Sequence, residues 1–153
     1  MKIEKLGHRI NSESNKKLAK SQAKMQALHD ALSKRNLPDD IITLINIEIA
    51  EIHAFSGSDK NLIKQLNVSY LKILKIIEKK LKLVPINHYR NFWMVIGMSV
   101  FGLPLGVIFS TSTDNYSYIG TGIPIGMALG IVIGINLDKK AKSNGTQLDL
   151  YSH

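Results

Sequence analysis

The chain has 153 residues, no cysteine and a formal net charge of +8. Its length suits one domain of ordinary size, and the lack of cysteine excludes disulfides, thiolate metal sites, cysteine nucleophiles and a lipidated-cysteine anchor. Of the 20 Lys and Arg residues, 17 lie in residues 1–90 beside nine acidic residues, whereas residues 91–153 carry three of each sign. The positive charge therefore belongs to the first part of the chain, where it would suit anionic lipid, nucleic acid or an acidic protein.

Residues 14–36 carry apolar side chains at helical spacing. Leu18, Met25, Leu28 and Leu32 are separated by seven, three and four residues, a pattern typical of an amphipathic helix. No long apolar run precedes residue 90, so we expect no cleavable signal peptide, and the first hydrophobic span must act as the insertion signal.

Residues 38–55 allow two interpretations. Ile45, Ile47 and Ile49 alternate with more polar residues, as in a half-buried strand. Ile41 and Ile52 extend a helical stripe through Ile45 and Ile49, and no partner strand is evident. We favour a helix that begins at the proline before two acidic residues.

Residues 60–83 predict a third helix, which is cationic on one side and apolar on the other. Six of its seven lysines fall within a sector of roughly 120° at 100° per residue. We call this set the lysine face, and it consists of Lys60, Lys64, Lys72, Lys75, Lys79 and Lys82. Pro85 ends the helix.

Two uncharged tracts follow, and each reaches the roughly 20 residues that a membrane-spanning helix needs. The predicted spans are residues 92–113 and 117–137, with Asp114 in the polar break between them. Aromatic residues at both ends suit the two membrane interfaces. Basic residues, including Arg90, lie just before the first span and just after the second, whereas the loop between the two spans has no Lys or Arg. Because basic residues are enriched on the cytoplasmic side of a membrane, both termini should face the cytoplasm.

Small residues recur every four positions in both spans. We call these sets the glycine stripes: Gly102, Gly106 and Ser110 in the first span, and Gly122, Gly126, Gly130 and Gly134 in the second. Such stripes let two helix backbones approach closely, which favours either packing within the hairpin or contact between protomers. Gly97 and Ala128 lie outside the stripes and suggest a second contact. Pro104 and Pro124 predict kinks in the two spans, and we assign these kinks no hinge function.

The second half resembles small bacterial glycine-zipper two-span membrane proteins of the Bacteroidota type. The similarity covers roughly residues 85–150 and rests on four runs. These are residues 87–91 (NHYRN), 94–98 (MVIGM), 101–106 (FGLPLG) and 118–126 (YIGTGIPIG) continuing to the DKKA at 138–141. The resemblance implies a membrane location and a hairpin architecture, and it carries no catalytic residue.

No pattern of catalytic or metal-binding chemistry is present in the sequence. The five histidines stand singly, without the spacing that places two on one helical face, and no phosphate-binding or nucleophile-elbow motif occurs. Neither predicted span contains a charged residue that could act in a proton relay. We therefore expect no enzyme activity, no cofactor and no metal.

The sequence thus predicts an all-α protein in three parts: a cytoplasmic three-helix basic domain (1–88), a transmembrane glycine-zipper hairpin (89–138) and a cytoplasmic polar tail (139–153). It indicates a non-enzymatic scaffold or accessory subunit of the bacterial inner membrane that self-associates or joins a larger membrane protein. The alternative is a small homo-oligomeric pore. Lipid headgroups or a cytoplasmic protein would contact Lys64, Lys72, Lys75, Lys79, Lys82 and Arg90. Nucleic acid is disfavoured, because the lysine face lacks arginine and aromatic residues.

Overall fold

The computed structural model describes residues 2–4 and 15–151 and is mainly helical. The chain divides into two compact units, Met1–Leu83 and Val84–His153. The all-α fold class and the two long apolar helices in the C-terminal half are confirmed.

In the described part of the first unit (residues 2–4 and 15–83), the helices are α1 (Lys16–Ser33), α2 (Asp39–His53) and α3 (Asp59–Leu81). Asn15 caps the start of α1, because its side chain accepts hydrogen bonds from the amides of Lys17 and Leu18. Of the two interpretations of residues 38–55, the helix is confirmed. Residues 38–55 form a helix rather than a strand because Ile41, Ile45, Ile49 and Ile52 then make one continuous buried side of α2.

The core of the first unit is built from one side of each helix. Its fully buried large side chains are Leu18, Leu28 and Leu32 of α1, Ile41 and Ile45 of α2, and Leu66, Ile73 and Ile77 of α3. Together with the buried Met25 and Leu62, these positions are separated by three, four or seven residues along each helix, so each helix buries one stripe and exposes the other side.

The second unit is an antiparallel helical hairpin with a small sheet. Its elements in chain order are β1 (Val84–Ile86), α4 (His88–Ile96), a π-helical turn (Gly97–Gly102), α5 (Leu103–Thr113), a 3₁₀ segment (Tyr116–Thr121), α6 (Gly122–Ser143) and β2 (Gln147–Tyr151). Helix α4, the π turn and α5 form one continuous helix, and the 3₁₀ segment runs directly into α6.

The two arms of the hairpin are joined by a tight turn at the polar break. Asp114 takes a left-handed conformation (φ 53°) and ends α5, and the side chain of Asn115 then accepts a hydrogen bond from the amide of Ser117 at 2.9 Å. Asp and Asn tolerate these conformations better than most residues, which explains why the break forms a turn.

The predicted three-part division differs from the structure at both boundaries. β1 pairs in parallel with β2, with Val84 opposite Gln147, so the chain before the hairpin and the chain after it belong to one unit. The predicted polar tail instead contains the end of α6 and the strand β2. Leu148 and Leu150 are both buried, because alternate residues of a strand point to the same face.

Candidate membrane-spanning hairpin and cationic surface

Two continuous helices of the second unit are long and apolar enough to cross a membrane, as judged by length and composition. They are His88–Thr113 and Tyr116–Ser143, and only 17% and 22% of their most apolar stretches are buried within the protein. A core helix of a soluble protein would be mostly buried. These helices instead present most of their apolar surface outward.

Large apolar side chains cover the outside of the hairpin. The exposed ones are Phe92, Val95, Val100, Phe101, Leu103, Val107, Ile108 and Phe109 on the first arm, and Ile119, Ile123, Ile125, Leu129, Val132, Ile133 and Ile135 on the second. Tyr116 is 84% exposed beside the turn, where an aromatic belt would lie.

The glycine stripes of the two arms face each other inside the hairpin. Every glycine in them is buried, and a Cβ added to any of them would meet backbone of the opposite arm. Added to Gly102, it would lie 3.0 Å from the Cα of Ile123, and added to Gly130 it would run into the carbonyl of Trp93. Ser110, the remaining member, is 3% exposed. Both glycine stripes therefore pack against the opposite arm within the hairpin, where their missing side chains allow the two backbones to approach closely.

Gly97 also belongs to this interface, so its assignment to a second contact is wrong. A Cβ on Gly97 would collide with the carbonyl of Gly126 and lie 2.9 Å from the Cα of Gly130. The cause is the π-helical turn, in which the amide of Leu103 bonds the carbonyl of Met98, five residues earlier. The wider turn adds one residue and brings Gly97 back to the side of Gly102. Ala128 lies on the exposed side of α6.

The two prolines have different local settings. Pro104 follows the π turn directly at the start of α5, where its ring would clash with the carbonyl four residues earlier in a regular α-helix. The π turn accommodates the missing amide hydrogen of Pro104, because a π turn interrupts the regular backbone hydrogen bonds between residues four apart. Pro124 lies in the first turn of α6, where the amide hydrogen it lacks has no partner within that helix.

A buried carboxylate closes the base of the hairpin. Asp138, near the end of α6, is 7% exposed, and its two oxygens accept hydrogen bonds from the amides of Tyr89 (3.1 Å) and Arg90 (2.9 Å). These amides lie in the first turn of α4, where a negative charge is favoured. The sequence held a signal for this contact, because Asp138 continues the four-residue spacing from Gly134.

Arg90, predicted to contact lipid or a partner, is placed in α4 rather than on the lysine face. Its backbone amide bonds Asp138, and its guanidinium donates to the side-chain oxygen of Asn91 at 3.2 Å. Arg90 is half-buried, and its α-carbon is the atom that a Cβ on Gly134 would meet first. Its backbone therefore has a structural role in the hairpin.

Five lysines of the lysine face lie on the exposed side of α3. The sixth, Lys82, was predicted on the same helix but follows its last residue in a left-handed conformation (φ 57°), so the helix ends before it. All six lysines are exposed. Lys72 differs from the others, because its ammonium group contacts Glu48 at 3.0 Å and Glu51 at 3.5 Å, both on α2. The hydrogen bond that Lys72 donates to the Glu48 carboxylate raises the pKa of Lys72 above its usual value. Among the residues that the structure describes, Lys64 and Lys75 make no ion pair, and neither do Lys79 and Lys82.

Apolar side chains interrupt the cationic surface. Val68 and Leu71 of α3 and Leu44 and Ile47 of α2 are all exposed, with Leu71 at 63%. An open groove of about 330 Å³ lies between α2 and α3. Its lining residues are Leu44, Glu48, Lys72, Lys75, Ile76, Lys79 and Lys80. The surface thus combines unpaired positive charge with apolar contact area, which suits an anionic amphiphilic surface.

Metal-binding geometry is not found in the part of the chain that the structure describes. No group of three or more His, Asp or Glu side chains there could hold an ion. His8 and His153 lie outside the described residues. No protein-family model, curated protein or solved structure matches the chain.

Proposed function

We propose that this protein is a non-enzymatic integral membrane scaffold or small accessory subunit, resembling bacterial two-span glycine-zipper proteins. Its hairpin would cross the bacterial inner membrane, and the unit Met1–Leu83 would contact lipid headgroups or a protein on the cytoplasmic side. Asp114 would then lie outside and both termini inside, as the distribution of Lys and Arg favours.

One observation carries the membrane assignment: the hairpin has small residues inside and large apolar residues outside. The glycines of both stripes are buried, whereas Val107, Ile108 and Val132 are each more than half exposed. In water that arrangement would leave a contiguous apolar surface uncovered. In lipid, helices associate through close backbone contact at small residues, and large apolar side chains face the acyl chains.

Self-association would use a surface other than the glycine stripes. Because the stripes contact each other within one hairpin, a second protomer would meet the outer apolar faces, such as those around Phe101 or Leu129. The homo-oligomeric pore is the weaker proposal for the same reason. A ring of hairpins would need a lining, and the outer faces offer large apolar side chains rather than polar ones.

Cysteine labelling tests insertion and orientation together, because the chain has no native cysteine. Asp114→Cys and Asn144→Cys are expressed separately in bacteria and treated with a membrane-impermeant maleimide before and after lysis. We expect Asp114→Cys to react in intact cells and Asn144→Cys only after lysis. The opposite pattern would reverse the orientation, and release of the wild-type chain from membranes by alkaline carbonate would overturn the membrane assignment.

Purification in mild detergent tests the scaffold role. We expect the wild-type chain to elute with stoichiometric copies of itself or of one larger membrane protein, identified by mass spectrometry. A chain that elutes as a lone protomer under every mild condition would contradict it, and reproducible single-channel conductance in planar bilayers would favour the pore instead.

A further inference from the structure

The groove between α2 and α3, which we call the α2–α3 groove, has an apolar floor and a cationic rim. Its floor is formed by Leu44 of α2 and the half-buried Ile76 of α3. Its rim consists of four exposed lysines of α3: Lys72, Lys75, Lys79 and Lys80. Ile76 is four residues from both Lys72 and Lys80, so a lysine lies one helical turn away on each side of it.

The positive charge of the groove exceeds what its own acidic residues neutralise. Glu48 is the one carboxylate among the lining residues, and it accepts a hydrogen bond from Lys72 at 3.0 Å. Lys72 also contacts Glu51 at 3.5 Å. Within the part of the chain that the structure describes, no ion pair is formed by Lys75, Lys79 or Lys80. Three ammonium groups of one groove are therefore available to an external anion.

A ligand that matches both features of the groove is an anionic amphiphile. Phosphate oxygens accept strong hydrogen bonds from ammonium groups, and methylene groups gain free energy when they leave water for apolar contacts such as Leu44 and Ile76. Nucleic acid or inorganic phosphate would use the lysines alone. The volume of about 330 Å³ lies at the lower end of the range for small-molecule sites and suits a headgroup with the first methylenes of its acyl chains.

A membrane surface is the nearest source of such a ligand along the chain. Lys79 and Lys80 precede His88, where the first candidate membrane-spanning helix begins, by nine and eight residues. Even a fully extended chain of that length spans at most roughly 30 Å. Once the hairpin is inserted, these lysines stay within reach of the headgroup layer, where lysines beside a membrane-spanning helix attract anionic lipid.

We propose that the α2–α3 groove binds one anionic phospholipid per chain. The rim lysines without an ion pair hold the phosphate, and the apolar floor contacts the first methylenes of the acyl chains. Zwitterionic lipids bind less well, because their own ammonium group is repelled by the rim. The proposal rests on the membrane location proposed above, and it adds a site of defined stoichiometry to the general attraction between the lysine face and anionic lipid.

Native mass spectrometry of the full-length chain in nonionic detergent tests the site, because it counts the lipids that each chain retains. Phosphatidylglycerol and phosphatidylcholine with the same acyl chains are titrated separately. We expect one phosphatidylglycerol per chain to be retained at about one tenth of the concentration that phosphatidylcholine requires. Equal retention of the two lipids would overturn the proposal.

Matched double variants separate the groove from total charge. Lys75→Gln with Lys79→Gln removes two rim lysines and should weaken retention of phosphatidylglycerol about tenfold. Lys60→Gln with Lys64→Gln removes the same charge from the same helix outside the groove and should retain the lipid as the wild type does. Lipids bound to the hairpin affect both variants equally and cancel from the comparison. Equal losses in the two variants would mean that net charge sets the affinity, and the proposed site would be wrong.

Ile76→Gln tests the apolar floor without a change of charge and should weaken retention about fivefold. Its control is Leu71→Gln, at a residue of α3 that is 63% exposed and does not line the groove. Leu44→Gln repeats the test from α2 if circular dichroism shows that Ile76→Gln alters the fold. Wild-type retention by both floor variants, or release of the lipid by equimolar inorganic phosphate or polyglutamate, would overturn the assignment to a lipid.

Extraction with alkaline carbonate reports on membrane insertion independently of these measurements. A chain that resists extraction but shows no preference for phosphatidylglycerol contradicts the lipid site alone. A chain that carbonate releases contradicts the membrane location, and the lipid site with it.

Discussion

Arg90 and Asp138 are 48 residues apart in the chain, and the amide of Arg90 donates to the carboxylate of Asp138 at 2.9 Å. The neighbouring Tyr89 amide reaches the other carboxylate oxygen. Asn87 precedes α4 in a left-handed conformation (φ 62°), and its side chain does not cap the helix. Asp138 near the end of α6 therefore caps the N-terminus of α4 in place of Asn87. This contact joins the two arms of the hairpin at their base.

Replacing Asp138 should destabilise the hairpin. Asp138→Ala leaves two buried or half-buried amides without an acceptor at the positive end of α4, and we expect a loss of about 1–2 kcal/mol in unfolding free energy. Asp138→Asn keeps one acceptor oxygen and should lose about half as much. Thermal unfolding in detergent measures both. The control is Asp149→Asn, an exposed carboxylate in β2, and a wild-type midpoint for Asp138→Ala would show that the cap contributes nothing.

The glycine contacts can be tested with a single methyl group. In Gly130→Ala the added carbon runs into the carbonyl of Trp93, whereas in Gly120→Ala it meets nothing within 4 Å. Gly130→Ala must force the arms apart over several turns, so we expect it to lose about 1–3 kcal/mol in unfolding free energy. Gly120→Ala should match the wild type. Equal thermal midpoints for the two variants in detergent would mean that the arms do not touch at Gly130.

Gly126→Leu and Ile131→Leu extend this comparison to larger side chains. The leucine at residue 126 would have to displace the backbone at Gly97 and Gly102, so the variant should unfold at a lower temperature than Gly130→Ala. Ile131→Leu only changes shape on a partly exposed side of α6 and should leave the midpoint unchanged. A stable Gly126→Leu would remove the main physical support for the hairpin.

Periodicity predicted most of the hairpin, because each arm repeats one residue type at one spacing. Gly122 to Gly134 recur every four residues, and a single face results whatever the rest of the chain does. The same reasoning failed at Gly97, because a π turn increases the spacing between contact positions on one helix face from four residues to five. No residue type within the turn indicates a π-helical conformation. Pro104, two residues beyond the turn, was the available signal.

Contacts between distant parts of the chain were not predictable in the same way. The pairing of β1 with β2 joins Val84 to Gln147. β1 has only three residues and carries no alternating pattern, whereas Leu148 and Leu150 of β2 do alternate with polar residues, a short signal within the predicted polar tail. The contact of Asn46 with residues 2–4 likewise depends on one side-chain amide across 42 residues. Such contacts follow from the assembled fold, whereas the helices themselves follow from local spacing.

Deleting one residue from the π turn should be tolerated. Ser99 is exposed within the turn, and its removal returns Gly97 to a four-residue spacing from Gly102, which a regular α-helix satisfies. We expect the deletion to unfold within a few degrees of the wild type. Deleting Val107, exposed on regular α5, rotates the preceding helix by about 100° relative to Ser110 and should unfold the hairpin. Equal damage from the two deletions would argue against a π turn in the functional protein.

Binding of anionic vesicles should depend on the lysine face. For the compact unit Met1–Leu83, we expect binding to anionic vesicles that falls as salt rises from about 0.05 to 0.5 M, since the screening length shortens to a few Å. Replacing Lys64, Lys75 and Lys79 by Gln should weaken it at least tenfold. The control removes the same charge from α1 through Lys16→Gln, Lys17→Gln and Lys20→Gln. Equal loss in both triple variants would mean that net charge, rather than this face, sets the affinity.

Lys72 differs from its neighbours on the same face, and its variants should behave differently. Its ammonium group is the only cation that contacts Glu48 among the described residues, and the Glu48 carboxylate is largely buried with one oxygen unpartnered. Lys72→Met therefore leaves a desolvated negative charge without compensation and should lower the thermal midpoint of the protein. Lys75→Met, which breaks no ion pair, should leave the midpoint near that of the wild type.

The pH dependence of Lys72→Met provides a second test. Because the hydrogen bond that Lys72 donates to Glu48 raises the pKa of Lys72 in the folded state, the stabilisation from this contact is fully present below the usual lysine pKa of 10.5. It should be lost as the pH rises through the higher folded-state pKa. The difference in unfolding free energy between the wild type and Lys72→Met should thus be constant from about pH 7 to pH 10 and shrink above pH 10.

The double variant Lys72→Met with Glu48→Met separates the buried charge from its partner. It should recover the wild-type midpoint at neutral pH, because the buried negative charge and the cation that compensates it are then both absent. If Lys72→Met and Lys75→Met unfold at the same temperature throughout this range, the contact between α2 and α3 is a surface pair without energetic consequence.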